Sequence, residues 1–320
     1  MVPVVELAAI AGLRERGEFA AAAQRSARLH EHHPQAAEPL RLQALALLQS
    51  GQLEAARTAI LAAQARAPGD VPILCNLGSI ELASGNAGAA AAAFRRALAI
   101  EPTQAAALNG LGNACRAAGD PAGAVAAYTR VTQLAPAHVG AWLNLAALRL
   151  ELGEVDAAAA ALERARALAP GHPDALLLLG QLRAARGDAD GALNAYAQGR
   201  QLAPHDARFP YELGLIAEQR KQLALAADAQ AHALQLDPML HPALGQLVFL
   251  RRQLCDWRDL DALSQAVRER VAAGVGGIAP FGFLAEPASA AEQLQCARNA
   301  ARDIAARMAP LRAQQAPPPV

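Results

Sequence analysis

Aromatic residues, lysine and an excess of charge of either sign are scarce or missing in this sequence. Only 3% of its 320 residues are aromatic, Lys221 is its only lysine, and 29 acidic residues balance 29 basic ones. Because a phosphate backbone is bound through a broad positive field, this balance argues against a nucleic-acid partner. At 53% hydrophobic residues the chain nevertheless has ample material for a folded core.

The sequence also lacks a membrane segment and a cysteine framework. No basic residue precedes the first apolar stretch, which Glu6 interrupts, so no signal peptide is predicted. No later segment supplies the roughly 20 strongly apolar residues that a transmembrane helix needs. The four cysteines are too far apart for a disulfide scaffold and are predicted to be reduced thiols on helices: Cys75, Cys115, Cys255 and Cys296. We therefore expect a cytoplasmic protein that binds no membrane.

Motifs for catalysis, cofactors and metals are missing as well. His30 and His33 in "HEHHP" have no companion cluster of cysteines or acids, so no metal site is predicted. His138 and His172 lie one repeat apart at turns, which indicates turn chemistry. Because no Walker A, HExxH or GxSxG pattern occurs, the sequence predicts no catalytic residue and no cofactor. An enzyme with an unfamiliar site is the disfavoured hypothesis.

What the sequence has in abundance is a repeat of 34 residues. Proline recurs at that spacing at Pro34, Pro68, Pro102, Pro136, Pro170, Pro204 and Pro238. In the third, fourth and sixth copies a large residue stands at position 4, leucine and glycine at 7 and 8, alanine at 20 and an aromatic at 24. The third copy fills these positions with Leu74, Leu77, Gly78, Ala90 and Phe94. This pattern resembles the tetratricopeptide repeat (TPR), a helix-turn-helix unit.

The physical reasons for the pattern can be read from the residue types. Small residues at positions 8 and 20 let two helices approach closely, and the large residues fill the space between them. Glycine at position 15 suits a positive φ that ends the first helix, and it recurs at Gly17, Gly51, Gly85, Gly119, Gly153 and Gly187. The fold class predicted with the resemblance is all-α: a right-handed TPR superhelix, or α-solenoid, of about seven to eight repeats with a C-terminal helical junction.

The predicted boundaries follow the frame of the repeat. Seven repeats are expected over residues 3–240, at 3–36, 37–70, 71–104, 105–138, 139–172, 173–206 and 207–240. A degenerate eighth repeat covers 241–274, where Cys255 takes the glycine position and Trp257 is expected to begin the second helix. A junction loop and helix follow over 275–309, and a flexible tail over 310–320.

Two sequence features support a helix in the junction. Ser289 and Glu292 form a predicted capping box at its start. One apolar face of the helix is expected to consist of Leu294, Ala297, Ala301, Ile304 and Met308.

The TPR resemblance implies that first helices line a concave groove, so that positions 2, 5, 6, 9, 12 and 13 face a partner. The candidate peptide-binding residues at these positions are Asn76, Asn109, Asn113, Asn144 and Gln181. Amides both donate and accept hydrogen bonds, so they suit the backbone of an extended peptide; the alternative is an ordinary polar surface. Arg116 and Arg208 alone do not make a basic clamp for acidic peptides. Proteins or extended peptides are the predicted partners.

The end of the chain resembles a second family. Cys255, Asp256 and Trp257, the "PFGFLAEP" segment from Pro280 and "QLQCAR" at 293–298 are similar to bacterial members of the protein O-GlcNAc transferase family. The resemblance implies a scaffold that recruits substrates for a UDP-GlcNAc-dependent glycosyltransferase. The two transferase lobes of that family are not among these 320 residues, so no activity is expected of this chain.

That family also implies an asparagine ladder at position 6, which grips the acceptor peptide in the animal enzymes. Here only the third and fifth repeats have asparagine at position 6, as Asn76 and Asn144. The alternative hypothesis is a stand-alone TPR adaptor with no glycosylation role. In either case the unfinished end of the repeat array favours a homodimer or docking to a catalytic domain, because a solenoid end needs a cap.

Overall fold

The computed structural model describes the backbone of residues 2–315 and the side chains of residues 2–305. Within that range all regular elements are helices, and the chain divides into two compact units, Met1–Ala141 and Trp142–Val320. The first unit contains α1 (Val4–Glu15), α2 (Phe19–His32), α3 (Ala37–Gln49), α4 (Leu53–Arg66), α5 (Val71–Ala83), α6 (Ala87–Ile100), α7 (Ala105–Ala117) and α8 (Pro121–Leu134). Helix α9 (Val139–Glu151) begins in the first unit and continues into the second.

The second unit continues the same succession of paired helices. It contains α10 (Val155–Leu168), α11 (Pro173–Ala185), α12 (Ala189–Leu202), α13 (Arg208–Gln219), α14 (Leu223–Leu236), α15 (His241–Gln253), α16 (Leu260–Ala272), α17 (Pro280–Phe283) and α18 (Ala290–Gln315). In both units helices pack mainly on their neighbours in the chain: α3 on α4 and α4 on α5, and likewise α11 on α12 and α12 on α13. This is the predicted array of helix-turn-helix pairs.

In several of these pairs an aromatic ring of the second helix packs against a glycine of the first helix. A Cβ placed on Gly78 would lie 2.6 Å from Phe94 Cζ, and one on Gly180 would lie 2.1 Å from Tyr196 Cε1. Both rings are buried. In these two repeats the helices therefore approach so closely that Gly78 and Gly180 leave no room for a larger residue, as the residue types predict.

The turn within each pair uses the left-handed backbone conformation that the glycines predict. The six position-15 glycines have φ between 75° and 80°. Lys221 and Cys255, which replace glycine in the last two repeats, keep positive φ values of 61° and 52°. The packing of the helix pair thus imposes the turn even on residues that adopt this conformation at a cost.

The eighth repeat departs from its prediction at Trp257. Helix α16 begins at Leu260 instead of Trp257, because Asp259 has a left-handed φ of 51° that a helix cannot include. The Trp257 side chain is 69% exposed and lies ahead of the helix. Cys255 is exposed on the preceding turn, so the prediction that all four cysteines lie on helices is wrong for this one.

The junction packs on the last helix pair and buries an apolar cluster. Ile278, Phe283 and Cys296 join Val267 and Val271 of α16 in this cluster. The cluster also includes Leu244 and Val248 of α15, so the junction covers apolar residues of both helices of the last pair.

The predicted capping box at the start of α18 is confirmed. The Ser289 backbone N–H donates to Glu292 Oε2 at 2.7 Å, and the Glu292 N–H donates to Ser289 Oγ at 3.3 Å.

The predicted apolar face of α18 is wrong as the packing face. Leu294 and Ile304 are each 52% exposed, whereas Cys296 and Asn299 are buried. The reason is polar: Asn299 Nδ2 donates to the backbone oxygens of Val271 at 3.0 Å and Val275 at 3.3 Å. The helix is therefore oriented by hydrogen bonds to carbonyl groups at and just beyond the end of α16, because the buried Asn299 amide needs acceptors.

The C-terminal boundary also differs from the prediction. Although proline usually ends a helix, α18 passes Pro310 and continues to Gln315. The flexible tail predicted for 310–320 is therefore wrong for residues 310–315, while 316–320 and the Met308 side chain lie outside the described residues.

Candidate protein-binding surface

The first helices of the repeats are the odd-numbered helices from α1 to α15. We call the side chains that stand on these helices at repeat positions 2, 5, 6, 9, 12 and 13 the first-helix face of each unit. In the first unit it includes Asn76 on α5 and Asn109 and Asn113 on α7, all half-buried. Tyr128 Oη donates to Asn113 Oδ1 at 2.6 Å, which fixes this amide with its nitrogen left as a donor. The Asn76 Nδ2 is buried and has no hydrogen-bond partner among the described residues.

In the second unit the face includes Asn144 on α9 and Gln181 on α11, both half-buried. Gln181 Nε2 donates to Glu212 Oε1 of α13 at 2.8 Å, and Tyr196 Oη lies 3.4 Å from Glu212 Oε2. Burial, followed by the Glu212 carboxylate, raises the pKa of the Tyr196 phenol above its ordinary value. Gln181 is thus part of a polar bridge between successive first helices.

The one arginine on this face of α13 is held by acids of its own chain. Arg208 Nη2 lies 2.6 Å from Asp206 Oδ2 and 2.7 Å from Asp174 Oδ1. The hydrogen bonds from Arg208 lower the pKa of Asp206 below its ordinary value. Since its charge is already matched, Arg208 does not provide a clamp for an acidic peptide.

The structure adds residues to this face that the sequence analysis missed. Glu212 and Glu218 of α13 stand at repeat positions 6 and 12. Gln246 of α15, at repeat position 6, donates from Nε2 to Glu218 Oε2. Tyr211 and Phe249 stand at positions 5 and 9 of the same two helices. Counting the groove positions through the last two repeats would have found all five, whereas no pattern in the sequence places the junction residues beside them.

The two repeat-spaced histidines, for which the sequence indicates turn chemistry, each accept a hydrogen bond at the start of a helix. His138 Nδ1 accepts from the Ala141 backbone N–H at 3.0 Å, and His172 Nδ1 accepts from the Asp174 N–H at 3.2 Å. Each of these nitrogens satisfies a backbone donor that the start of a helix leaves without a partner.

Among the residues that the structure describes, no three His, Cys, Asp or Glu side chains group as metal ligands. Over the same stretch, none of the helices combines the length and the apolar character that a membrane crossing requires.

Comparison with protein families supports the repeat architecture. Two family models described as tetratricopeptide repeat match this chain, one at residues 8–71 and 75–139 and the other at 116–182 and 150–209. Together these matches cover more than half of the sequence. A search of the curated proteins finds no significant match.

Solved structures show the same fold. The chain is similar to a chain of the APC/C hetero-tetramer Cut9-Hcn1, with 18% identity and a TM-score of 0.62, over 92% of this chain and 55% of that one. It is also similar to Pseudomonas aeruginosa pilF, with 18% identity and a TM-score of 0.56, over 64% of this chain and 93% of that one. At such identities the likeness concerns the fold alone, and it confirms the predicted all-α repeat solenoid.

Proposed function

We propose that this chain, which belongs to the tetratricopeptide-repeat family, is a scaffold that binds extended protein segments on its first-helix faces. Repeat arrays of this kind offer extended concave surfaces for such partners. The observation that supports the proposal is the row of polar side chains on successive first helices, several of them fixed by hydrogen bonds such as Gln181–Glu212. Amides fixed in this way lose little entropy when they pair with a peptide backbone. The role is recruitment, and the chain has no reaction of its own.

Paired substitutions test this proposal. Peptides are selected on the full chain from a library of random, unstructured peptides, and their affinities are measured by fluorescence anisotropy. Asn76→Ala with Asn109→Ala removes two half-buried amides of the first-helix face, and two lost hydrogen bonds should weaken binding about tenfold. Gln133→Ala with Asn194→Ala removes exposed amides from second helices and is the matched control. Equal losses in both double variants would contradict the proposed surface.

We propose further that the scaffold recruits substrates for a protein O-GlcNAc transferase-like enzyme, on the resemblance of residues 241–310. What supports this is that parts of the resembling segments fold together: Phe283 and Cys296 are buried in one cluster with α15 and α16, and Glu286 pairs with Arg252. The coding sequence downstream of Val320 separates the two hypotheses. A two-lobed glycosyltransferase there would support recruitment for sugar transfer, and unrelated sequence would leave a stand-alone adaptor.

A further inference from the structure

A cavity of about 340 Å³ opens in the second unit between α13, α15 and the junction segment around α17. Tyr211, Glu218, Gln246 and Phe249 line it from the first-helix face, and Phe281 lines it from the junction. Its volume is at the lower end of the roughly 300–1,000 Å³ range of small-ligand sites, which suits a single side chain. An inference about its occupant rests on the proposed function, because the cavity is part of the proposed binding surface.

The charged groups of this cavity are all acidic. None of its lining residues is lysine, arginine or histidine. The Glu286 carboxylate is already matched, since Arg252 Nε and Nη2 lie 2.9 Å and 3.1 Å from its oxygens and Ser264 Oγ also donates to it. Glu218 has no ion pair among the described residues, and the Gln246 amide Nε2 donates a hydrogen bond to its Oε2. One half-buried carboxylate is therefore left without a cation.

The partial burial of Glu218 makes this unmatched negative charge energetically unfavourable. A half-buried carboxylate has lost part of its hydration, and an amide returns less than a cation would. Tyr211, beside Glu218, lies in the same negative field: burial, followed by the charges of Glu212 and Glu218, raises the pKa of its phenol.

Two aromatic rings also line the cavity. The rings of Phe249 and Phe281 lie 6.1 Å apart between centroids, at an interplanar angle of 64°. Phe281 is 76% exposed, although a phenyl ring is usually buried. A ring face attracts a cation that packs on it, and a planar cation suits it best.

We propose that this cavity binds the side chain of an arginine residue in an extended peptide partner. The guanidinium donates to the Glu218 carboxylate and to Gln246 Oε1, which remains an acceptor because Nε2 faces Glu218. Its plane packs on the exposed ring of Phe281, which meets Phe249 edge to face. Arginine fits better than lysine because it presents a flat fork of donors and is more weakly hydrated.

The probe that tests this inference is a single residue, Nα-acetyl-arginine N-methylamide, titrated into the full chain and followed by NMR. The matched ligand is the citrulline derivative, which keeps the shape and loses the charge. We expect the arginine derivative to bind at least tenfold more tightly. Glu218→Gln should abolish this preference, and Phe281→Ala should weaken binding of the arginine derivative without disturbing the core, because that ring is exposed. The control Glu163→Gln changes an exposed acid of α10 and should alter neither affinity.

Each other outcome overturns the inference. Equal affinity for arginine and citrulline derivatives, or tighter binding of the norleucine derivative, would show a neutral pocket. Equal affinity for the lysine derivative would show a general cation site. Failure of the proposed function looks different: the arginine derivative would still bind the cavity, while the Asn76→Ala, Asn109→Ala variant would bind selected peptides as the native chain does.

Discussion

At the scale of single residues, the contact between a glycine and an aromatic ring decides how closely two helices of a repeat pack. Gly180 faces the buried ring of Tyr196, whereas a Cβ on Gly88 of α6 would meet no atom within 4 Å beyond its chain neighbours and its own helix backbone. Both glycines lie within helices, so the same substitution adds the same methyl group in two different surroundings. The pair separates packing from helix propensity.

Gly180→Ala should lower the free energy of unfolding. Alanine favours a helix over glycine by about 1 kcal/mol, but a methyl group forced against a buried ring costs about 1–3 kcal/mol. Gly88→Ala should leave the protein as stable or slightly more stable. Urea unfolding followed by circular dichroism measures both. A Gly180→Ala variant at least as stable as the native chain would refute the close packing at position 8.

Lys221 offers a second test at this scale, because it holds a left-handed turn without being glycine. Its φ is 61°, and a side chain in this region costs about 1–2 kcal/mol. Lys221→Gly should therefore be more stable to urea than Lys221→Ala by about 1 kcal/mol, since both variants lose the lysine and only glycine relieves the strain. Equal stability of the two variants would mean that the turn is not strained.

At the scale of elements, the start of α18 depends on its capping box. Hydrogen bonds from the Ser289 backbone and hydroxyl, followed by that from Arg268, lower the pKa of Glu292 from its ordinary value of 4.5 to about 2. Because the folded pKa lies below the unfolded one, the stability that this carboxylate contributes is present above pH 4.5 and is lost as the pH falls toward 2.

NMR titration of the Glu292 carboxyl group should show this low pKa in the native chain. Ser289→Ala removes the hydroxyl donor and leaves the backbone donor, so the pKa of Glu292 should rise only part of the way to its ordinary value. Titration near 4.5 in the native chain would contradict the capping box.

The junction depends on one buried amide as well. Asn299→Ala removes the two hydrogen bonds that this buried amide donates to the Val271 and Val275 carbonyl oxygens, which should lower the free energy of unfolding by about 1–3 kcal/mol. Asn194→Ala makes the same change at an exposed site on α12 and should have little effect. Thermal unfolding of the two variants gives the comparison, and equal melting temperatures would mean that Asn299 does not hold α18 in place.

The elements show where sequence reasoning succeeds and where it stops. The helix pairs were predictable because small and large residues recur at fixed positions and each repeat packs mainly on its neighbours in the chain. Trp257 was misplaced because nothing local indicates the left-handed conformation of Asp259. The packing face of α18 was missed because it is set by Asn299 and distant carbonyl groups, so an apolar pattern pointed to the wrong side.

At the scale of the whole molecule, the candidate surface was predictable only in part. The repeat frame assigns Asn113 and Gln181 to the first-helix faces, but Tyr128 and Glu212 already engage them. The cavity depends on the junction, which brings Phe281 beside α13 and α15 through folding that no repeat encodes. The frame of a repeat predicts which of its positions face a partner, but it cannot predict a site that a non-repeating segment completes.

The central claim is that partners bind the first-helix faces, and hydrogen exchange measured on the whole chain tests it most directly. Exchange is compared for the free chain and for the chain saturated with a selected peptide. The claim predicts slower exchange concentrated on odd-numbered helices such as α5, α7, α11 and α13, since bound segments suppress the opening of the helices they contact. Protection confined to even-numbered helices, or no protection at saturation, would contradict it.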